Sequence, residues 1–436
     1  MAEFVVPSAR GPVEGTFRVP PSKSLAQRAL VLAALSDGPT EIVLEGPASD
    51  DVDRLARALR ALTGAGEEID STIRGGWTAG GLGGETTSHR LDLGMNATGF
   101  RFLLAIAGLR PRGARTLVSG RPRLLARPHG PLLRALTRLG AHARRRHSGS
   151  VRVIATPWAR HHVDVRGDGS SQYTSALLLA APRAGGLRVR VGPGAVSRGY
   201  VALTTGVLGA FGIDVTRDGD AIVVAPGAPS ATRFVVEPDT SSAAVWWTAA
   251  ALTGGRVRVP GLSAATVQPD AALLGILERM GASVGESDQG VTVEGPIEGL
   301  EGAGEIDLRD APDLAPLVAV LGAGASGETR VIHAPHLRWK ESDRIASLVA
   351  GLKAVGADVT EAADGFSIRG PAPLRPGRID TAGDHRLAMA FGVLGLVVPG
   401  ITLSDGAVAS KSYPGFLGDL LRAAGITESA NPPVPE

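Results

Sequence analysis

A chain of 436 residues is longer than one hydrophobic core usually supports, so two domains are expected, and 44% hydrophobic residues exclude a disordered polymer. The 45 Lys and Arg against 43 Asp and Glu leave a net charge of only +2, and aromatics are 4% of the chain. That combination argues against bulk electrostatic capture of nucleic acid and against aromatic stacking platforms. The absence of cysteine excludes disulfides, thiolate nucleophiles and cysteine-ligated metals. The opening residues MAEFVVPSARGPVEG have no basic segment leading into an apolar one, and no apolar run approaches the roughly 18 residues a membrane span needs. A cytoplasmic chain without membrane contact is expected.

In chain order the sequence repeats one unit six times. An Ala- and Leu-rich stretch of helical length meets a glycine-containing turn and then a short β-branched run. The copies are ALVLAALSDGPTEIVLEG, FLLAIAGLRPRGARTLVSG, SALLLAAPRAGGLRVRVG, AVWWTAAALTGGRVRVPG, PLVAVLGAGASGETRVIHA and AMAFGVLGLVVPGITLSDG. Each predicts a buried helix followed by a strand. An amphipathic segment ending in glycine follows each copy, with marker glycines Gly64, Gly140, Gly212, Gly281, Gly356 and Gly425 spaced by 76, 72, 69, 75 and 69 residues. A period this long exceeds a solenoid repeat and predicts six small βαβ-type units in two groups of three, with the break near residue 237. The run Arg144, Arg145, Arg146 and His147 before a Ser-Gly turn reads as a solvated hairpin.

Only four lysines, Lys23, Lys340, Lys353 and Lys411, stand beside 41 arginines. Compositional bias accounts for arginine on the surface. The surviving lysines become candidates for positions that need a compact ammonium with a movable pKa. Polar residues precede every buried helix, in SKSLAQR, NATGFR, GSSQYTS, PDTSSAA, RDAPDLAP and AGDHRLAM. Helix capping explains each motif taken singly. Together, helices arranged around a local threefold axis would aim their positive ends at one surface, and two such domains would face across an anion-focusing cleft. Lys23, Arg28, Arg101, Arg344, Arg386 and Lys411 would stand in it. Asp313 and Glu341 are the acidic exceptions. Glu341 has the spacing of an ordinary helix bridge to Arg344 as well as that of a base held among cations, and spacing does not choose. His385 in GDHR reads as a site residue rather than a proton carrier. His161 and His162 do not face one another, no carboxylate and histidine set has metal-ligand spacing, and no metal or other cofactor is expected.

Taken in order, SKSxxxR, RPxGPLL, SSQ, PD, KESDR, DHRxAM and a late SK resemble the 5-enolpyruvylshikimate-3-phosphate synthases, and the match spans nearly the whole chain. The resemblance implies an α/β (α+β) enolpyruvyl transferase fold of two domains, each of three repeated βαβ-type units, with helices converging on an interdomain cleft. It implies that residues 1–20 cross over to join residues 238–436, leaving residues 21–237 as the other domain. The implied reaction moves the enolpyruvyl group of phosphoenolpyruvate to the 5-hydroxyl of shikimate 3-phosphate by addition and elimination.

Carried onto this sequence, the resemblance places shikimate 3-phosphate against Lys23, Ser24, Arg28, Ser170, Ser171, Gln172, Ser197, Tyr200, Asp313, His336 and Lys340. It places phosphoenolpyruvate against Lys23, Ala97, Thr98, Arg101, Arg127, Gln172, Glu341, Arg344, His385, Arg386 and Lys411. Asp313 is expected to be the base for the hydroxyl, with Lys23 and Glu341 moving the proton at carbon. Four positions depart from the family pattern. Met95 and Ala97 occupy positions where asparagine and glycine are usual, His336 replaces an asparagine found in some members, and Gly199 interrupts a common proline. The Ala97 methyl is expected to crowd glyphosate more than phosphoenolpyruvate. The rival readings are a transferase acting on UDP-N-acetylglucosamine, whose family commonly uses a loop cysteine absent here, and a non-catalytic phosphoanion-binding relative. The partners expected are small molecules only, and the chain is expected to be a monomer.

Overall fold

The computed structural model describes residues 3–64, 72–74, 77–78, 81–82, 88–230 and 233–426. Six helices form its interior: α1 (Lys23–Leu35), α2 (Ala97–Ile106), α3 (Gln172–Ala180), α4 (Thr240–Thr253), α5 (Ala315–Gly324) and α6 (His385–Val397). They are apolar around nearly their whole circumference, which fits a helix surrounded by protein and explains the lack of a polar stripe in the sequence. In α4, residues Thr240 to Ala251 are all buried.

The first three helices pack on one another, and so do the last three. Two separate hydrophobic cores result. One draws its buried residues from Leu25 to Val236; the other combines Val6, Val13, Phe17 and Val19 with residues from Ala243 to Ala424.

Each unit lays its buried helix against a small mixed sheet. In the second unit, Ser88–Asp92 pairs in parallel with Arg115–Ser119, which pairs antiparallel with Val151–Ile154, and that strand with His142–Arg145. The third and fifth units repeat this order. Parallel pairing forces a crossover between the first two strands, and the buried helix supplies it.

Two sheets are completed by distant chain. Arg233–Val236 lies parallel to Pro39–Leu44 in the first unit, and Glu14–Thr16 lies parallel to Arg256–Val259 in the fourth. Phe4–Val5 pairs antiparallel with Ile401–Leu403 in the sixth.

An outer amphipathic helix ends each unit at its marker glycine. All six glycines have positive φ, between +73° at Gly64 and +99° at Gly140. A side chain there would be strained, so the glycine lets the chain reverse into the following strand. The strand expected after Gly425 lies outside the described residues. The Arg144 to His147 run forms the exposed end of a hairpin between His142–Arg145 and Val151–Ile154.

Candidate active site

The starts of α1, α2, α3, α5 and α6 open into one cleft between the two cores. From the first core it is lined by Lys23, Ser24, Arg28, Ala97, Thr98, Arg101, Arg127, Ser170, Ser171, Gln172, Ser197 and Tyr200. From the second it receives Asp313, His336, Lys340, Glu341, Arg344, His385 and Arg386. Lys411, at the end of the short helix Ala407–Lys411, is buried beside this lining and donates from Nζ to Glu341 Oε1 at 2.7 Å. Every residue named in the sequence analysis as a ligand or catalytic group therefore lies in this cleft or directly against it.

One helix departs from the expected convergence. The start of α4 does not line the cleft. Its capping residue Asp239 accepts from Ser242 N at 2.8 Å with one oxygen and from Lys23 N at 3.2 Å with the other, so one carboxylate joins the first turns of α4 and α1.

Capping and site chemistry separate once side chains are visible. Asn96, Asp239 and Asp384 accept from backbone N–H groups of their own helices, as caps do. Ser22 and Ser171 make no such side-chain bond. Asp313 precedes α5 in a short turn of 3₁₀ helix, and its carboxylate engages cations instead. Ser197, at the start of Arg198–Ala210, sits in the left-handed region at φ +58° and donates its N–H across the cleft to Arg309 O at 2.9 Å. Such a conformation is costly for a serine and marks a position held by its surroundings.

Seven Lys and Arg side chains and three carboxylates line the cleft, an excess of positive charge suited to polyanions. Arg344 organises the second core's side. Its Nε and Nη2 bond Asp384, Nη1 bonds Asp313 at 2.8 Å, and Nη2 also reaches Glu341 at 3.2 Å. Arg344 is 1% exposed and Asp384 fully buried, so the Glu341 and Arg344 pair is not a surface bridge. Asp313 accepts from Lys340 at 3.3 Å, Arg344 at 2.8 Å and Arg386 at 3.2 Å. Glu341 is gripped by Lys411 and Arg344 and lies 3.5 Å from Arg127 of the first core.

These pairings fix ionisation. Burial opposes charge on Asp313, but Lys340, Arg386 and Arg344 outweigh it and hold the carboxyl well below its usual range. Burial likewise opposes charge on Glu341, and Lys411, Arg127 and Arg344 overcome it. Burial lowers Lys340, partly offset by Asp313. Burial, with Lys411 and Lys23 adding to it, keeps His385 neutral, and His336 is pushed down to about 3 by burial and then Lys340. Among the described residues neither ring nitrogen of His336 or of His385 has a hydrogen-bond partner, and His385 Nδ1 lies 3.8 Å from Asp384 Oδ1. Burial brings Arg28 and Arg101 down to about 10, which still leaves them protonated at neutral pH.

On the first core's side, Arg101 donates to Gln172 Oε1 at 2.6 Å and Ser170 Oγ at 3.2 Å, and Gln172 donates to Thr98 at 2.9 Å. Arg28 donates to Thr204 at 2.8 Å and Tyr200 O at 3.0 Å. Lys23 Nζ pairs with Asp51 at 3.2 Å. Sequence reasoning missed Asp51, Asp384, Pro128, Gly169 and Trp339. Of these, Asp384 stood inside the AGDHRLAM motif, where helix capping explains it, while Asp51 lies in the first turn of the helix Asp50–Thr63, outside every motif considered. Among the described residues no group of His, Asp and Glu is arranged to hold a metal ion, and no helix is long and apolar enough to cross a membrane.

Comparison with known proteins bears on the fold and the family. A sequence model of the family described as EPSP synthase (3-phosphoshikimate 1-carboxyvinyltransferase) matches residues 7–420. A 3-phosphoshikimate 1-carboxyvinyltransferase from Methanothermobacter thermautotrophicus is 39% identical over 412 residues, covering 93% of this chain and 95% of that protein. The enzyme of the same description from Halobacterium salinarum is 38% identical over 418 residues, with 93% and 95% covered. Among solved structures, an EPSP synthase from Acinetobacter baumannii superposes with a TM-score of 0.78 at 27% identity, covering 98% of this chain and 99% of the other. The enolpyruvyl transferase NikO from Streptomyces tendae shares the fold, with a TM-score of 0.74 at 21% identity over 97% of each chain. A two-domain enolpyruvyl transferase fold, a cationic cleft between its cores and relatives matched over nearly their full length lead to one conclusion: the chain belongs to the EPSP synthase family.

Proposed function

We propose that this chain transfers the enolpyruvyl group of phosphoenolpyruvate to the 5-hydroxyl of shikimate 3-phosphate, releasing phosphate and 5-enolpyruvylshikimate 3-phosphate, a step towards chorismate and the aromatic amino acids. The observation that carries this reading is the pairing, in one cationic cleft, of two carboxylates each held ionised by three cations. Shikimate 3-phosphate would contact Lys23, Ser24, Arg28, Ser170, Ser171, Gln172, Ser197, Tyr200, Asp313, His336 and Lys340. Asp313 takes the proton of its 5-hydroxyl as the oxygen attacks.

Phosphoenolpyruvate would lie against Lys23, Ala97, Thr98, Arg101, Arg127, Gln172, Glu341, Arg344, His385, Arg386 and Lys411. Its negative charges would compete with Glu341 for Arg127, Arg344 and Lys411. That competition raises the proton affinity of Glu341, so a carboxylate ionised in the empty cleft becomes able, with Lys23, to protonate the methylene carbon. The hydroxyl oxygen then bonds to the adjacent carbon, giving a tetrahedral intermediate. Loss of phosphate, with its charge stabilised by the arginines, and removal of one methyl proton by the same pair restore the double bond.

Each hydrophobic core marks a domain in this reading, residues 21–237 and residues 1–20 with 238–436. The protein acts as a cytoplasmic monomer, with no metal or other cofactor, no nucleic acid and no membrane partner. The test supplies phosphoenolpyruvate with either shikimate 3-phosphate or UDP-N-acetylglucosamine and follows the enolpyruvyl product by NMR. Product only with shikimate 3-phosphate supports the reading. Turnover of the sugar nucleotide instead would replace it, and binding of phosphoenolpyruvate without product in either mixture would favour a non-catalytic phosphoanion binder.

A further inference from the structure

Among the described residues the chain passes between the two cores twice, between Val19 and Leu25 and again between Val236 and Ala243. Both crossings meet at one side chain. Gln268, 5% exposed, accepts with Oε1 from Ser22 Oγ at 2.8 Å and from Thr240 N at 3.2 Å. With Nε2 it donates to Pro238 O at 2.8 Å and Glu237 Oε1 at 3.0 Å. The orientation of the amide is fixed by its partners, because the Thr240 N–H can only donate and the Pro238 carbonyl can only accept. The crossings are also tied directly, by Ser22 N to Glu237 O and Asp239 N to Pro20 O, each at 2.9 Å.

Ser22 is fully buried, and the next residue is Lys23. The Lys23 backbone is thus held on one side by the Ser22 bond to Gln268 and on the other by its own N–H to Asp239. The residue after Gln268, Pro269, packs against Gly199 beside Tyr200, where an added Cβ would lie 2.6 Å from Pro269 Cγ. This contact requires glycine at 199 and extends the same loop from the crossings to the cleft wall.

We propose that Gln268 is a positioning residue for the reaction: its side-chain amide locks the two interdomain crossings together and, through Ser22, sets where Lys23 stands in the cleft. Gln268 does not line the cleft and carries no charge, so it acts only through the groups it holds. A long ammonium side chain reaches a fixed point only if its backbone is fixed, and displacement of a reacting group by about 1 Å can cost about a hundredfold in rate. The proposal rests on the reading that Lys23 takes part in the reaction.

The test uses Ser22→Ala, Gln268→Ala and the double variant. Ser22→Ala removes one donor and leaves Gln268 its Thr240 partner, so it remains informative even if Gln268→Ala fails to fold. The readouts are kcat/KM, Tm and the ¹³C spectrum of protein carrying reductively methylated lysines. The four lysines give four signals, with Lys23 identified by Lys23→Arg. Ser22→Ala is expected to lower kcat/KM at least tenfold and to move or broaden the Lys23 signal while Lys353 stays in place. Where Gln268→Ala folds, it shows the same losses, and the double variant falls no more than threefold below it. Activity within threefold of the parent, an unmoved Lys23 signal, or fully additive losses in the double variant would overturn the proposal, as would a lowered Tm with kcat/KM unchanged. If Lys23→Arg itself keeps full turnover, the catalytic reading of Lys23 fails, and the Lys23 signal still reports whether Ser22 and Gln268 position it.

Discussion

Asp313→Asn is the perturbation that isolates a base from its scaffold. The amide keeps the volume and shape of the carboxyl, so Lys340, Arg344 and Arg386 retain a neighbour at the site of their 3.3, 2.8 and 3.2 Å contacts. What is lost is proton acceptance. A positioned base contributes about 10² to 10⁴ in rate, or about 3 to 6 kcal/mol at about 1.4 kcal/mol per factor of ten. The same change removes a negative charge from a cleft that binds polyanions, so phosphoenolpyruvate affinity should stay the same or tighten. Steady-state kinetics and calorimetric titration of phosphoenolpyruvate together read both effects, and the expected result is kcat down at least a hundredfold with KM for phosphoenolpyruvate no higher. A kcat within threefold of the parent would refute the assignment. So would a loss confined to KM, because that would make Asp313 a binding group equally engaged in ground and transition states.

Three further outcomes follow from named contacts. Asp384→Ala should destabilise the protein by about 3 to 5 kcal/mol, since it strips the buried Arg344 guanidinium of the carboxylate that pairs with both its Nε and its Nη2; a fall in Tm of less than about 3 °C in scanning calorimetry would contradict this. Asp270 is pushed up to about 6 by burial and the nearby Asp313 charge. A carboxyl raised in the folded state gives stability that is present below its unfolded pKa and lost as pH rises to about 6, so Asp270→Asn should gain on the parent between pH 4 and pH 7 in urea titrations, and parallel curves would count against it. Ala97, buried at the first position of α2 and lining the cleft, should exclude bulky phosphoenolpyruvate analogues. Ala97→Gly is therefore expected to lower the glyphosate inhibition constant at least about fivefold, and an unchanged constant would dismiss the crowding argument.

The repeats were legible because their cause is local. An apolar helix and a left-handed glycine leave marks within a dozen residues, and all six marker glycines have the positive φ that their position requires. The exchanged strands leave no such mark. Glu14–Thr16 and Arg233–Val236 look like any short strand; resemblance implied only that residues 1–20 join the second half, and nothing in the sequence pointed to the sheets these strands complete. At the site, arginines and serines before the helices could be found by motif, but not which served as caps. Ser22 and Asn96 stand in the same place before their helices, yet one bonds Gln268 and the other its own backbone. The Gln268 network joins residues 22, 237–240 and 268. No periodicity connects such separated positions, so only packing in three dimensions reveals it.

The proposed reaction requires one cleft to bring both substrates to the same pair of carboxylates. Purified protein mixed with phosphoenolpyruvate and shikimate 3-phosphate tests this directly when inorganic phosphate is followed with time. The expected result is release that needs both compounds, reaches one phosphate per phosphoenolpyruvate consumed, and disappears in Asp313→Asn. No release in the full mixture, or equal release from phosphoenolpyruvate alone, would contradict it.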